Sequence, residues 1–244
     1  MRHLPLLALA IALPLAAAPI TIPASSNGFY SSNGVTVSTS GYFTGNCANC
    51  APHGEFRAYV VFTLAPGLST ITSATLSLPF GNSVVSGYNS NDPSETLGLF
   101  DVSTTIATLT SGVGSLAVFT DLGTGAAFGS VVVLSSTVSP GHVDVVLNAA
   151  GLAYLNSRIG SSSAFGLALT SLGFNGSDEV LFNGSGASHP SLAIDSTGAA
   201  TPEPSTVSLV LVGGLLALVN RFRRPTLRKM SRYGGPPGKV KWNF

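Results

Sequence analysis

The chain has 244 residues, a formal net charge of +1 and only 9% charged side chains, against roughly a quarter in an ordinary soluble domain. The near-neutral total hides a division. Apart from Arg2, Arg57 and Arg158, every lysine and arginine lies at or beyond Arg221, whereas Ser25 to Ala200 sets two arginines against nine carboxylates, a net −7. Such a surface repels nucleic acid, so solubility rests on Ser, Thr, Asn and Gly, a composition suited to a hydrated polysaccharide or a crowded matrix.

At the start, Met1-Arg2-His3 followed by Leu4 to Ala18 has the charged beginning, apolar middle and small-residue finish of a secretory signal peptide. A cut after Ala18 would make Pro19 the first residue, which is unfavourable; cuts after Ala17 or after Ala24 remain, and residues 1–24 are read as the leader. Residues 25–200 then form one exported domain, long enough for a sizeable core.

That domain is predicted to be all-β, an antiparallel β-sandwich or jelly roll with one short helix. From Glu55 to Leu64 the side chains alternate, Phe56, Ala58, Val60, Phe62 and Leu64 on one face and Arg57, Tyr59, Val61 and Thr63 on the other, as in a half-buried strand. Similar runs cover Gly34–Thr39, Ser73–Phe80, Thr96–Val102, Leu116–Thr120, Ala127–Leu134, His142–Asn148, Ala164–Leu172, Glu179–Phe182 and Ser191–Ile194. Turn signals stand at Asn27-Gly28, Asn33-Gly34, Pro66-Gly67, Pro140-Gly141, Asn175-Gly176 and Asn183-Gly184. Many short strands at this spacing favour a sandwich. The helix is Ala149–Ile159, capped by Asn148, with Leu152, Leu155 and Ile159 on one side and Gly160 as its stop.

Residues able to do chemistry are few. The only two cysteines, Cys47 and Cys50, form a CxxC in a Gly- and Asn-rich loop. In an exported chain this reads first as a local disulfide. A redox site, zinc held with His53, and free thiols are the alternatives. Asp92 with Glu95, and Asp178 with Glu179 beside Asn175 and Asn183, are oxygen-rich enough for Ca²⁺, but they lack the spaced acidic ligands of a calcium loop and read as solvated turns. His53, His142 and His189 supply no catalytic motif, and no nucleophile elbow, zinc-protease or phosphate-loop pattern occurs. No catalytic residue, metal site or cofactor is expected. Tyr30, Tyr42, Tyr59, Tyr88 and Tyr154 are the possible sugar platforms.

Near the end of the chain, Thr201-Pro202-Glu203-Pro204-Ser205-Thr206 precedes an uncharged apolar run from Val207 to Val219, and Arg221, Arg223 and Arg224 follow. With its tolerant flanks the run approaches the lower length limit for a membrane span of about 20 residues. The arginines would hold its far end in the cytoplasm and leave everything before Pro202 outside. Residues 225–244 continue as a basic, Gly- and Pro-rich tail with the composition of a disordered segment facing anionic lipid.

This three-part segment over residues 201–224 resembles the PEP-CTERM sorting signal of Gram-negative bacteria. The resemblance implies a transmembrane helix at 207–219, a sorting motif of Pro202, Glu203, Pro204, Arg221, Arg223 and Arg224, and an exosortase that cuts near Pro202-Glu203-Pro204. It also implies transit through the inner membrane to the cell surface or the extracellular space. The stretches Phe56–Leu64, Ile71–Leu78, Asp92–Thr96 and Leu99–Thr104 resemble a recurring ectodomain of PEP-CTERM proteins and, more distantly, the jelly-roll modules of secreted bacterial proteins. The expected function is that of a non-enzymatic surface or extracellular-matrix protein. The alternative is a carbohydrate-binding module that retains exopolysaccharide.

Overall fold

The computed structural model describes residues 19–35, 37–51, 53–80, 87–136, 141–172, 178–184 and 189–197. The expected sorting segment 201–224, the tail 225–244, the expected leader up to Ala18, Pro140 and the Asn175-Gly176 turn signal lie outside the described residues.

Two-residue alternation of apolar and polar side chains dominates the chain and yields strands β1 (Ile20–Pro23), β2 (Ser26–Ser31), β3 (Val37–Ser38), β4 (Tyr42–Cys47), β5 (Gly54–Thr63), β6 (Ile71–Pro79), β7 (Tyr88–Ser90), β8 (Ser94–Asp101), β9 (Ala127–Leu134), β10 (His142–Val146), β11 (Ser162–Leu169), β12 (Glu179–Gly184) and β13 (Ser191–Ser196). Three helices join them among the described residues, α1 (Ile106–Leu109), α2 (Leu116–Asp121) and α3 (Ala149–Ser157). One sheet has the order β1-β13-β6-β10; the larger runs β7-β12-β4-β5-β11-β8-β9, with β2 also on β5 and β3 on β2. Leu76, Leu78, Val143, Val145, Leu192 and Ile194 of the first sheet share one buried cluster with Val60, Phe62, Leu97, Leu99, Phe165 and Leu167 of the second. The two antiparallel sheets therefore pack face to face as a sandwich-like all-β fold.

The alternation expected around β5 is present, with Ala58, Val60, Phe62 and Leu64 in the main core. The strand is not half-buried, however. Tyr59 and Val61 on its other face are covered by Leu109, Val118, Phe119 and Leu122 from the α1–α2 segment. That segment corrects the sequence reading, because Leu116–Thr120, expected as a strand, is helix α2. A five-residue apolar run cannot be assigned by period alone. Ser115 decides it, accepting from the Val118 N–H at 3.3 Å as an N-cap. Thr105 caps α1 in the same way, at 3.3 Å from the Thr108 N–H. Among the described residues the domain thus has three helices rather than one.

Helix α3 starts where expected and ends at Ser157, two residues short of the expected Ile159. Asn148 Oδ1 accepts from the Gly151 N–H at 3.0 Å, and Gly160 follows the last turn at φ +80°. Asn27-Gly28 is not a turn but the middle of β2, because a side chain at Gly28 would lie 2.6 Å from the Tyr59 hydroxyl. Asn183-Gly184 likewise falls inside β12. The expected Gly34–Thr39 strand shrinks to β3.

Helix α2 is too short to hold itself, and two charged side chains anchor it. The Arg57 guanidinium donates to Glu55 at 2.8 Å and to the Thr120 carbonyl at 3.1 Å, and it sits 4.4 Å from the centre of the Phe119 ring. A cation at the C-terminal carbonyls also complements the helix dipole. Asp121 accepts from the Ser103 hydroxyl at 2.6 Å, the Thr104 hydroxyl at 2.6 Å and the Thr104 N–H at 2.7 Å. Burial raises this carboxyl, but the hydrogen bonds from Ser103 and Thr104 outweigh it and hold Asp121 below its ordinary value.

Phe62 is fully buried and Thr63 is exposed. Phe62→Ala is expected to cost about 3–5 kcal/mol in urea unfolding, and Thr63→Ala no more than about 0.5 kcal/mol; the reverse ranking would invert the register of β5. Because the Asp121 carboxyl is depressed in the folded state, its contribution is present above the unfolded value of about 3.9 and is lost as pH falls through the folded value. Asp121→Asn is therefore expected to be less stable than the parent at neutral pH, with the difference in urea midpoint closing as the solution is acidified.

Candidate functional site

At the end of β4 the chain turns through Gly45 to Cys50. Gly45 takes φ +117°, and a side chain on it would run into the Glu179 carbonyl of the neighbouring β12. Cys47 and Cys50 are joined by a disulfide with their Cα atoms 5.4 Å apart. Cys47 is buried with Phe56 and Val180, and Phe29, Phe43 and Cys50 pack around them. The loop is fixed at its tip as well. Asp178 accepts from the Asn49 N–H at 2.9 Å and from the Asn89 amide at 3.2 Å, which ties the disulfide loop to β7.

The two carboxylate pairs considered for Ca²⁺ meet at this end of the sandwich, since Glu179 is in register with Ser90. The Asp178 and Glu95 carboxylates serve the fold. Ser90 Oγ donates to Glu95 at 2.6 Å, the Asp92 N–H donates to Ser90 at 3.1 Å, and Tyr88 donates to the Asp92 carbonyl at 2.7 Å. Burial pushes the Glu95 carboxyl above its ordinary value, Asp92 adds to the rise, and the Ser90 hydrogen bond opposes it. Among the described residues no group of three His, Cys, Asp or Glu side chains is placed to hold a metal ion.

The tyrosines considered as sugar platforms are taken up by the interior. Tyr30, Tyr42, Tyr59 and Tyr88 are buried. Tyr154 is stacked on Phe128 with ring centres 4.9 Å apart, and its hydroxyl donates to the Ala164 carbonyl at 3.1 Å. His53 and His189 are exposed. His142 lies 3.3 Å from Asp144 on the outward face of β10.

Sequence reading missed one concave surface. Leu97 and Leu99 turn into the core, which leaves Thr96, Gly98 and Phe100 on the opposite face of β8. With Ser130, Asn148 and Thr170 they line a groove of about 430 Å³. A side chain at Gly98 would fall 2.5 Å from the Phe100 ring and 2.7 Å from Thr170, so the glycine lets the ring lie across the strand. The lining among the described residues offers hydroxyls and one aromatic ring and no ionisable group. A glycine between alternating outward residues of a strand is the one signal that pointed there.

Pro202, Glu203, Pro204, Arg221, Arg223 and Arg224 lie outside the described residues, as does the apolar run 207–219. Among the described residues no helix is long and apolar enough to cross a membrane. No protein-family model matches the chain, and no curated protein sequence matches it.

The ring closed by Cys47 and Cys50 is much shorter than the 15-residue loop for which a crosslink contributes about 3 kcal/mol. Cys47→Ser with Cys50→Ser is expected to lower stability by less than that and to leave the fold intact by circular dichroism. Mass spectrometry of the unreduced protein should find no free thiol.

Proposed function

We propose that the chain is an exported, non-enzymatic protein of the cell surface or extracellular matrix, delivered by a PEP-CTERM signal and processed by an exosortase-type membrane transpeptidase. The observation that carries this reading is the order of Pro202-Glu203-Pro204, the apolar run 207–219, and Arg221, Arg223 and Arg224. The first serves as a cleavable recognition motif, the second as a short membrane segment and the third as a cytoplasmic stop. The leader-like Met1 to Ala18 supports export from the other end of the chain.

The domain between them agrees with that destination. A disulfide at Cys47–Cys50 persists in an oxidising compartment and is rarely kept in a reducing cytosol. We read the two-sheet domain as the jelly-roll-like ectodomain that the sequence resembles. Asp178, Glu95 and Asp121 are engaged in holding loops, and His142 lies beside Asp144 on an outward strand face, which favours a structural role over hydrolysis. The rival reading, a carbohydrate-binding module, is weakened because four of its five expected aromatic platforms are buried. What favours it is the Phe100 groove, whose ring and hydroxyls suit a neutral sugar.

Replacing Arg221, Arg223 and Arg224 together with Ser removes the cytoplasmic stop. In a host that contains an exosortase, cell fractionation and immunoblotting should show uncut protein escaping or mislocalised. Unchanged processing and location in the triple variant would refute the sorting assignment.

A further inference from the structure

We infer that the leader is removed between Ala17 and Ala18, and that the segment after it, Ile20–Pro23, is the first strand of the mature domain; this rests on the export reading above. The composition changes at Pro19. Leu4 to Ala18 is built almost wholly of Leu and Ala, whereas Ile20-Thr21-Ile22 alternates β-branched residues as a strand does. Strand β1 follows that pattern and pairs with β13 through Ile20 with Ile194, Thr21 with Ala193, Ile22 with Leu192 and Pro23 with Ser191. Ile22 and Ala24 pack against the main core. The Ala24 N–H donates to the Pro190 carbonyl and the Ser25 N–H to the Val61 carbonyl, each at 2.8 Å. The Ala24–Ser25 bond is therefore the step by which the chain crosses from the smaller sheet to the larger.

A cut after Ala24 would discard β1 and leave β13 with its outer backbone groups unpaired. An edge of that kind templates association with other chains. Pro23 at the end of β1 cannot donate to a further strand and blunts the edge that replaces it. The position after Ala18 is closed by Pro19, and the position after Ala17 keeps the whole strand behind a two-residue lead of Ala18 and Pro19. Hydrolysis there breaks the Ala17–Ala18 amide. Water gives its hydroxyl to the Ala17 carboxyl and a proton to the new Ala18 amine, and a leader peptidase supplies the catalysis.

N-terminal sequencing of the full-length protein, expressed in a Gram-negative host and recovered from its exported fraction, tests this. A start at Ala18-Pro19-Ile20 is expected. A start at Ser25-Ser26-Asn27 would overturn the assignment and leave export standing, an intact Met1-Arg2-His3 in that fraction would refute leader removal, and absence of the protein from the exported fraction would overturn the export reading itself. In the variant Ala24→Leu the start should stay at Ala18. Blocked processing in that variant would place the cut after residue 24 and refute the proposal.

Discussion

Burial of β5 on both faces is the constraint from which most of the molecule follows. Strand β2 lies along one edge of it, and β4 and β11 divide the other, β4 against Gly54–Phe56 and β11 against Ala58–Thr63. Its side chains enter all three apolar clusters: Val60 and Phe62 the space between the sheets, Tyr59 and Val61 the layer under α1 and α2, and Phe56 the pocket beside the disulfide. A strand buried on one face needs a single partner layer. This one needs two, and the excursion from β8 to β9 that carries α1 and α2 supplies the second. The covering layer approaches so closely that Gly166 on β11 has no room for a side chain against Leu122.

Several of the few charges inside the domain have a structural post. Arg57 holds the end of α2, Asp121 ties the same helix to Ser103 and Thr104, and Asp178 ties the disulfide loop to β7. Glu95 is held by Ser90 in a turn it shares with Asp92. A partly buried carboxylate is tolerated when hydrogen-bond donors converge on it, and Asp121 shows how far that goes, since its donors overcome the cost of its burial.

The parts legible in the sequence were those where local physics and tertiary packing agree. Helix α3 has a capping Asn148 and a terminating Gly160, and β5, β6, β8 and β9 are strands of eight residues or more. The errors have common causes. At Leu116–Thr120 the apolar run was too short to show its period, and the cap at Ser115 went unread. At Asn27-Gly28 a dipeptide that locally favours a turn is overridden because Tyr59 needs the space above the glycine. The tyrosines looked available because nothing in a sequence says which aromatic will be covered, and the groove beside Phe100 arises from strands distant in sequence. Strand β1 was read as leader because its neighbour in the sheet, β13, lies at the far end of the domain.

That last pairing bears on how the sandwich is assembled. β1 and β13 bring residues 20–23 and 191–194 side by side, so the first and last strands close the smaller sheet together. Such a long-range ladder forms late, because the closure entropy of the whole intervening chain must be met first. Until it forms, β6 exposes to solvent the edge that β13 will take. An open edge of that kind templates association with other copies, so the docking of β1 on β13 is the step that closes the smaller sheet against its neighbours.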